Sequence, residues 1–343
     1  MRVSYVQQNY YSLIRRPSAS NNPLCAARTN RLPAKHSSRV CSAAGCSSSR
    51  DQFRGNNKDK VLVVLGATGC GKSNLAVNVA TRLELAAEII NSDKMQVCNG
   101  LDITTNKIPM QDRRGISHRL IGDVHPVRKP DFTAADFRRA GGSLISGMTS
   151  NGTLPIIAGG SNSFVHALLV DKFDKELDAF ESGPVPLRYD CCFLWVDVAY
   201  PVLREHLCQR VDEMLAAGML EELERFFSRL HSESGYNLQK GRGLMKAIGV
   251  PELEEYFTKC RTRRTLKEAV GKIKENTCQL AKRQIGKIVR LRDMAGWQLH
   301  RVDATSAVAM RRRKDEGWEG AWDRGIVEPT VEIVRQFVGD ASF

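Results

Sequence analysis

Cysteine motifs typical of metal or redox sites are missing from this 343-residue sequence. Its ten cysteines are scattered, none forms a C-x-x-C pair, and none lies at zinc-site spacing from the seven histidines. This distribution argues against a zinc site and against a redox-active cysteine pair. The cysteines instead indicate small, mostly buried side chains in a protein of a reducing compartment.

Long apolar runs are also missing. No segment approaches the roughly 20 apolar residues that a transmembrane helix requires. The N-terminal stretch contains no apolar run long enough for the core of a secretory signal peptide. We therefore expect no membrane partner.

Acidic residues are nearly absent from the first 54 positions, which hold nine Lys or Arg and the single acid Asp51. This stretch contributes +8 of the net charge of +13, which leaves +5 for the rest of the chain. Basicity by itself is therefore no argument for a nucleic-acid partner. A segment rich in Arg and Ser and poor in acids is typical of an organelle transit peptide. A disordered tail without a targeting role is the alternative.

A phosphate-binding loop is the strongest motif that is present. The segment GATGCGKS fits the pattern G-x-x-x-x-G-K-[ST] and lies between an apolar, β-branched run and a helical pattern. Its glycines allow a tight turn in which backbone N–H groups point at phosphate oxygens, and the following helix adds its N-terminal dipole. The predicted phosphate-binding residues are Gly66, Ala67, Thr68, Gly69, Cys70, Gly71, Lys72 and Ser73.

Short apolar runs alternate with helical patterns beyond this loop. Strands are predicted at Val61–Leu65, Ala87–Asn91, Leu154–Ala158 and Phe193–Val198, and helices at Asn74–Leu83, Ala134–Met148 and Phe164–Leu169. This order predicts an α/β fold of the P-loop NTPase type, with a mostly parallel sheet flanked by helices. Helical patterns dominate from Pro201 onward, and Gly218 is expected to interrupt the first of them.

The predicted organisation has four parts. Residues 1–57 form a disordered transit peptide and linker, and residues 58–200 form the P-loop α/β core. Residues 201–264 form a smaller helical subdomain, and residues 265–343 contribute C-terminal helices that complete the core.

Asp93 follows the second predicted strand, so its carboxylate is expected beside the phosphate-binding loop. A carboxylate in this place is a candidate general base toward an acceptor group. A turn or helix-capping role is the alternative. The third strand ends in IIAGGSNSF without an acid, which weakens an ATPase or kinase interpretation, and Gly159 and Gly160 there suggest close backbone approach.

Six ordered blocks carry a resemblance to a known family. They are GATGCGKSNLA, IINSDKMQVCNGLDITTNKI, HRLIGDVHP, FTAADFRR, AGGSNSF and LAKRQ, spread over residues 58–300. The sequence resembles the adenine-N6 isopentenyltransferases, which include the transfer-RNA dimethylallyltransferases and the plant adenylate isopentenyltransferases of cytokinin synthesis. NSDKMQV, TTNKI, AGGSNSF and KAIGVPEL are most similar to the plant branch.

The resemblance implies that the loop holds the diphosphate of dimethylallyl diphosphate, the prenyl donor. It implies that Thr68 hydrogen-bonds the bridging oxygen of the leaving group and that Asp93 is the general base for the N6 amine. It further implies a Mg²⁺ cofactor held with Ser73, and it matches Lys246 to a basic position that reaches the donor diphosphate.

Four further basic residues are candidates for the acceptor's phosphates: Arg138, Arg139, Arg283 and Lys287. Solvent-exposed basic faces are the alternative for all four. Cys98 stands where the family usually has Tyr, so we expect altered packing near the acceptor.

The expected function is that of a plastid adenylate isopentenyltransferase, acting as a monomer on dimethylallyl diphosphate and free AMP, ADP or ATP. Mitochondrial or cytoplasmic locations are alternatives. Three alternative functions are a transfer-RNA dimethylallyltransferase, a P-loop small-molecule kinase and a non-catalytic nucleotide-binding protein.

A nucleic-acid partner is not expected, because the 21-residue link at 170–190 is too short for the helical insertion of the transfer-RNA enzymes and is acidic. The C-terminal region also shows no zinc-finger pattern.

Overall fold

The computed structural model describes residues 58–174, 183–232, 238 and 240–339. The predicted transit peptide at 1–57 therefore lies outside the described residues. The strands in chain order are β1 (Lys60–Gly66), β2 (Ala87–Asn91), β3 (His118–Arg119), β4 (Leu154–Ala158), β5 (Asp190–Asp197) and β6 (Leu299–Asp303).

Helices follow or separate these strands. They are α1 (Lys72–Arg82), α2 (Ala134–Ser150), α3 (Asn162–Leu169), α4 (Tyr200–Ala216), α5 (Met219–Ser232), α6 (Val250–Thr258), α7 (Arg263–Asp293), α8 (Thr305–Arg312), α9 (Trp318–Trp322) and α10 (Glu328–Gly339). Short 3₁₀ segments lie at Met110–Arg113 and Gly243–Lys246, and a π-helical segment at Asp323–Val327 joins α9 to α10.

Within the described residues the strands form one sheet in the order β3-β2-β4-β1-β5-β6, and all neighbouring pairs are parallel. Strand β1 is central, with Leu62 opposite Ile156 of β4 and Cys192 of β5. The chain leaves β1 toward one side of the sheet for β2 and later toward the other side for β5. The carboxyl end of β1 therefore lies at a topological switch point, where ligands bind in open α/β sheets.

Both faces of β1 are buried, as its continuous apolar sequence requires. Leu62 and Val64 face a cluster beneath α1, α4 and α10, whereas Val61 and Val63 face a second cluster beneath α2 and α3. Helix α7 contributes to both clusters. A side chain on either face of this strand is thus fixed by packing, which holds the loop after β1 in one place.

A third apolar cluster lies under α4 to α7. Its fully buried members from the predicted helical subdomain include Met219, Leu223 and Leu253. The same cluster includes Cys98 from the loop after β2 and Ile273 from α7. The described residues fall within one compact unit of the chain, so the predicted boundaries at 200 and 264 stay a prediction.

The predicted α/β fold with a parallel sheet is confirmed, as are the four predicted strands and the interruption at Gly218, which has a φ of 101°. Strands β3 and β6 were missing from the prediction. Strand β3 has two residues, and β6 (LHRVD) is an edge strand with polar and charged side chains. Neither presents the buried apolar run by which the other strands are recognised.

No helix within the described residues is long and apolar enough to cross a membrane.

Candidate active site

The loop after β1 is shaped by its glycines. Gly66 passes so close to β5 that a Cβ there would lie 2.6 Å from the carbonyl oxygen of Val196. Gly71 is the N-cap of α1, with φ 96° and no side-chain cap on the first turn. The first N–H groups of α1 are therefore not capped by a side chain and are available to an anion bound in front of the loop.

Lys72 lies in the first turn of α1, and its side chain is almost completely buried. Its Nζ donates to the backbone carbonyl of Ala67 over 2.7 Å, so the lysine folds back along the loop. This contact places a positive charge inside the curve of the loop, close to the position of a bound phosphate.

A cavity of about 480 Å³ opens in front of this loop; we call it the P-loop cavity. Its charged and polar lining combines residues of the loop with residues of distant segments. These include Thr68, Lys72, Ser73, Asp93, Gln96, Asn106, Lys107, Asp112, Arg114, His206, Arg210, Glu213 and Arg311.

A second cavity of about 400 Å³ lies between the sheet and the helices α4 and α7; we call it the helical cavity. Its walls combine apolar side chains with a basic set. The apolar members include Met95, Val211, Met214, Ala247, Ile248, Ile273 and Leu280, and the basic members are Lys94, Lys246, Arg283 and Lys287, together with Arg210.

The two cavities share part of their lining and so meet inside the protein. The shared residues are Thr68, Asp93, Gln96, Asn106, Gly160 and Arg210. Thr68 and Asp93, the two predicted catalytic residues, thus lie at the junction of the two cavities. A molecule in one cavity can contact a molecule in the other at this junction.

Asp93 follows β2, and one of its carboxylate oxygens takes part in the local turn. Oδ1 accepts a hydrogen bond from the Met95 N–H over 3.0 Å. A Cβ built on Gly160 would lie 3.1 Å from the other oxygen, Oδ2, so that oxygen faces the glycine pair after β4. The turn role is therefore present, and the same residue also lines both cavities.

Thr68 is held at both its backbone and its side chain. Its N–H donates to Oε1 of Gln284 over 2.7 Å, and its Oγ1 accepts from the guanidinium of Arg210 over 2.9 Å. The hydroxyl proton of Thr68 remains available for another acceptor, because the hydroxyl uses only a lone pair toward Arg210.

Arg210 is a site residue that the sequence did not reveal. Burial lowers the pKa of Arg210, but a guanidinium is so basic that it stays charged. Its Nε is buried without a hydrogen-bond partner in the described structure. It lies on the same stripe of α4 as Leu203 and Leu207, which are fully buried. A charged residue on an apolar helix stripe was the available signal.

His206, one turn before Arg210, also lines the P-loop cavity. Burial, followed by the charges of Arg210, Arg311 and Arg312, lowers the pKa of His206 to about 4. The imidazole is therefore neutral at physiological pH, and the positive charge of the cavity comes from its arginines and lysines.

Gly159 and Gly160 lie where the loop after β4 crosses the loop after β2. A Cβ on Gly159 would collide with the backbone between Ser92 and Asp93. A Cβ on Gly160 would lie 2.5 Å from Nε2 of Gln284. The close backbone approach predicted for this glycine pair is confirmed.

Lys246, Arg283 and Lys287 all line the helical cavity. Lys246 was predicted at the donor diphosphate, but it is not part of the P-loop cavity lining, and its Nζ lies 3.7 Å from Asp131. The physical reason is that the 3₁₀ segment Gly243–Lys246 packs on the α5–α7 side of the site. The structure thus groups Lys246 with the two candidates for the acceptor's phosphates.

Arg138 and Arg139 lie away from both cavities. Arg138 donates hydrogen bonds to the carbonyls of Val170 (2.6 Å) and Asp171 (2.8 Å) at the end of α3. Arg139 is exposed and pairs with Asp136 over 3.1 Å. The prediction that these arginines meet the acceptor does not agree with this placement, because the FRR segment lies on α2, which packs with α3 on the second apolar cluster.

Cys98 is also absent from the described lining of both cavities. Its side chain is buried in the third apolar cluster beside Leu101, and burial raises the pKa of its thiol. Its carbonyl accepts from Lys107 Nζ over 2.6 Å. The thiol therefore acts as a small apolar side chain beneath the loop that follows Asp93.

Comparison with known proteins identifies related sequences over most of the chain. The family described as IPP transferase matches residues 96–183 and 170–286. Adenylate isopentenyltransferase 1, chloroplastic, of Arabidopsis thaliana is 48% identical over 299 residues, covering 82% of each chain. Adenylate isopentenyltransferase of Humulus lupulus is 47% identical over 299 residues, covering 81% of this chain and 90% of the relative.

A further relative, adenylate isopentenyltransferase 7, mitochondrial, of Arabidopsis thaliana, is 42% identical over 286 residues and covers 82% of this chain and 80% of its own length. Among solved structures, a eukaryotic dimethylallyltransferase that acts on tRNA superimposes with a TM-score of 0.69 at 23% identity, over 83% of this chain and 81% of that one. At this identity the likeness concerns the fold alone. The resemblance stated from the sequence motifs is confirmed.

Proposed function

The chain belongs to the IPP transferase family, and from this premise we propose that it is an adenylate isopentenyltransferase. It transfers the dimethylallyl group of dimethylallyl diphosphate to N6 of ATP, ADP or AMP, a step of cytokinin biosynthesis. The observation that carries this proposal is the meeting of two cavities at Thr68 and Asp93, one built for an anion and one lined by apolar and basic side chains.

The donor diphosphate belongs in the P-loop cavity. The uncapped N-terminus of α1, Lys72 and Arg210 are the groups that stabilise its negative charge, which rises as the allylic C–O bond breaks. The Thr68 hydroxyl donates a hydrogen bond to the bridging oxygen, while its Oγ1 accepts one from Arg210. This leaves the five-carbon group pointing toward the junction with the helical cavity.

Mg²⁺ fits the same place. It binds through few protein oxygens and keeps waters and substrate phosphates as ligands. The Ser73 hydroxyl lines the P-loop cavity, and no group of three or more metal-binding side chains occurs in the described part of the chain. Ser73 would therefore hold the ion together with the diphosphate, and the ion would supply charge neutralisation of the leaving group.

The adenine nucleotide belongs in the helical cavity, whose apolar wall suits a purine ring. Arg283 and Lys287 line this cavity from α7, and Lys246 lines it from the 3₁₀ segment Gly243–Lys246. These three cations suit the acceptor's phosphates. The N6 amine then lies toward Asp93 at the junction.

The transfer itself is a substitution at C1 of the prenyl group. The C1–O bond to the diphosphate breaks as the N6–C1 bond forms, and one N6 proton passes to Asp93. Because the N6 lone pair is delocalised into the ring, removal of this proton by a placed carboxylate is worth about 10²–10⁴-fold in rate. The products are the N6-prenylated nucleotide and diphosphate.

A transfer-RNA dimethylallyltransferase is the alternative that shares this chemistry. The link at 170–190 favours the free nucleotide, because it carries more acidic than basic residues and is too short to fold as an RNA-gripping domain. The basic set of the helical cavity is also small, which suits a nucleotide better than a polymer.

We place the enzyme in the plastid. The support is the Arg- and Ser-rich N-terminal composition and the chloroplastic designation of a relative, although another relative is designated mitochondrial. A fusion of residues 1–57 to a fluorescent reporter tests the location: plastid import is expected, and a mitochondrial or uniformly cytosolic signal contradicts it.

One assay tests the activity. Purified protein receives labelled dimethylallyl diphosphate and Mg²⁺ with AMP, ADP, ATP or transfer RNA. Label is expected in the free nucleotides, with transfer RNA a poor acceptor even at low salt, where its attraction to basic residues is strongest. Transfer-RNA labelling at a rate equal to that of ADP or ATP supports the alternative. Phosphoryl transfer from ATP without prenylation supports a kinase, and binding without turnover supports a non-catalytic protein.

A further inference from the structure

Gln284 bridges two loops that are far apart in the sequence. Its side chain is buried in the middle of α7, with 6% of its surface exposed. Oε1 accepts from the Thr68 N–H over 2.7 Å, and Nε2 donates to the Gly160 carbonyl over 2.8 Å. One amide therefore ties the phosphate-binding loop to the loop after β4.

Each end of this bridge lies against one of the predicted catalytic residues. At one end the bond is to Thr68 itself, whose hydroxyl faces Arg210. At the other end Gly160 packs between the amide and Asp93, since a Cβ on this glycine would lie 2.5 Å from Nε2 and 3.1 Å from Asp93 Oδ2. The separation of Thr68 and Asp93 is thus set through Gln284 and Gly160.

The orientation of the bridge is determined by its partners. A backbone N–H can only donate and a carbonyl can only accept, so both amide atoms are assigned without ambiguity. The backbone of Gln284 is held as well, because Asn162 Nδ2 donates to its carbonyl over 3.1 Å. Glutamate lacks the donor and asparagine is one methylene shorter, so neither of these close relatives of glutamine makes both bonds in this place.

We propose that Gln284 is a positioning residue for prenyl transfer, which holds the leaving-group loop and the general-base loop at the separation that the reaction needs. The inference rests on the proposed function for its substrates and deepens it. Misplacement of reacting groups by about 1 Å costs on the order of 100-fold in rate. Loss of the bridge should therefore slow the transfer step more than it weakens binding of either substrate.

The kinetic test compares Gln284→Met, which keeps the volume and removes both hydrogen bonds, with Gln279→Met. Gln279 lies on the exposed face of the same helix and bonds Glu275 over 3.1 Å, so it is a matched control. For Gln284→Met we expect kcat to fall about 100-fold and both KM values to change by less than about threefold. Gln279→Met should match wild type. A kcat within about threefold of wild type, or a loss confined to KM, overturns the proposal.

Gln284→Glu separates the two bonds. It keeps an acceptor for the Thr68 N–H, but it places a carboxylate against the Gly160 carbonyl. Its kcat should be no higher than that of Gln284→Met, because one remaining hydrogen bond to Thr68 no longer connects the two loops. Wild-type kcat in Gln284→Glu would mean that the contact with Gly160 is irrelevant, and the proposal would be wrong.

Amide hydrogen exchange tests the bridge without any turnover. In Gln284→Met the Thr68 N–H should exchange faster than in wild type, whereas Gln279→Met should leave it unchanged. Equal exchange in wild type and Gln284→Met contradicts the positioning role. If wild type showed no prenyl transfer but this exchange difference appeared, the proposed function would fail while the bridge between the loops stood.

Discussion

Arg210 donates a hydrogen bond to Oγ1 of Thr68 over 2.9 Å, from a helix that begins more than a hundred residues after the phosphate-binding loop. A guanidinium cannot accept a hydrogen bond, so the O–H of Thr68 is left to donate one to another acceptor. This pairing holds the hydroxyl of Thr68 at the junction of the two cavities. It also brings a permanent positive charge next to the position proposed for the leaving group.

Removal of the Thr68 hydroxyl should therefore slow turnover. For Thr68→Ala we expect kcat to fall by about 10²–10³-fold, the usual cost of losing one hydrogen-bond donor to a developing negative charge. Thr68→Ser keeps the hydroxyl and should recover most of the rate. Steady-state kinetics with the donor varied distinguish the variants, and equal rates for Ala and Ser would exclude a role of the hydroxyl.

Asp93→Asn should abolish proton removal while the donor still binds. The expected loss in kcat is about 10²–10⁴-fold. Donor affinity, measured by calorimetry with Mg²⁺ present, should stay within about threefold of wild type, because Asp93 acts on the acceptor. Asp293→Asn, at an exposed carboxylate paired with Arg292, is the control. Retention of more than about a tenth of the wild-type rate would rule out the general-base role.

Arg283→Gln should weaken binding of the acceptor nucleotide, and more strongly for acceptors that carry more negative charge. The KM of ATP should rise by up to about fivefold, as expected for one partly screened charge pair, and the KM of AMP should rise less. Arg264→Gln provides the control, since Arg264 lies on the same helix with an 89% exposed side chain, outside the described lining of the helical cavity. Equal effects on AMP and ATP would place the acceptor's phosphates elsewhere.

Gly160→Ala should inactivate the enzyme through a steric clash. The new methyl would lie 2.5 Å from Gln284 Nε2 and 3.1 Å from Asp93 Oδ2, so one of these groups has to move. Gly147→Ala is the matched control: this glycine lies within α2, its added Cβ meets nothing within 4 Å, and the change should stabilise the helix by about 0.5–1 kcal/mol. Activity measurements and thermal unfolding separate the two effects, and a fully active Gly160→Ala would disprove the close packing.

His206 should make folding stability depend on pH. Its pKa is about 4 in the folded protein and lies near 6.5 in an unfolded chain. Between these values the unfolded state binds more protons, so the free energy of unfolding falls as the pH drops from about 6.5 to 4. His206→Gln should reduce this fall, because it removes the group whose pKa differs between the two states. Urea titrations at pH 7 and pH 5 measure the free energy of unfolding at each pH. If that free energy fell equally in wild type and in His206→Gln, the burial of a neutral imidazole would be contradicted.

Local features of the sequence were sufficient for the centre of the fold and for half of the site. The apolar, β-branched run at Val61–Leu65 and the glycine spacing of GATGCGKS act through neighbouring residues, so β1, its loop and the start of α1 followed from the sequence. Asp93 followed in the same way, because parallel strands end at one edge of the sheet. Strands β3 and β6 were missed, since pairing with a neighbour rather than local composition makes them strands.

Only the tertiary structure decided which distant side chains complete the site. Arg210 and Gln284 each lie on a buried stripe of a helix. The sequence pattern could show a polar residue among apolar ones, but it could not predict which residues they contact. Lys246 and Arg138 illustrate the same limit: both are basic residues within family-like blocks, yet one lies in the helical cavity and the other binds carbonyls at the end of α3. The physical reason is that hydrogen-bond partners in an α/β fold are set by the packing of helices on the sheet. A phosphate-binding loop is a local structure, whereas the geometry between Thr68 and Asp93 depends on contacts across more than a hundred residues of chain.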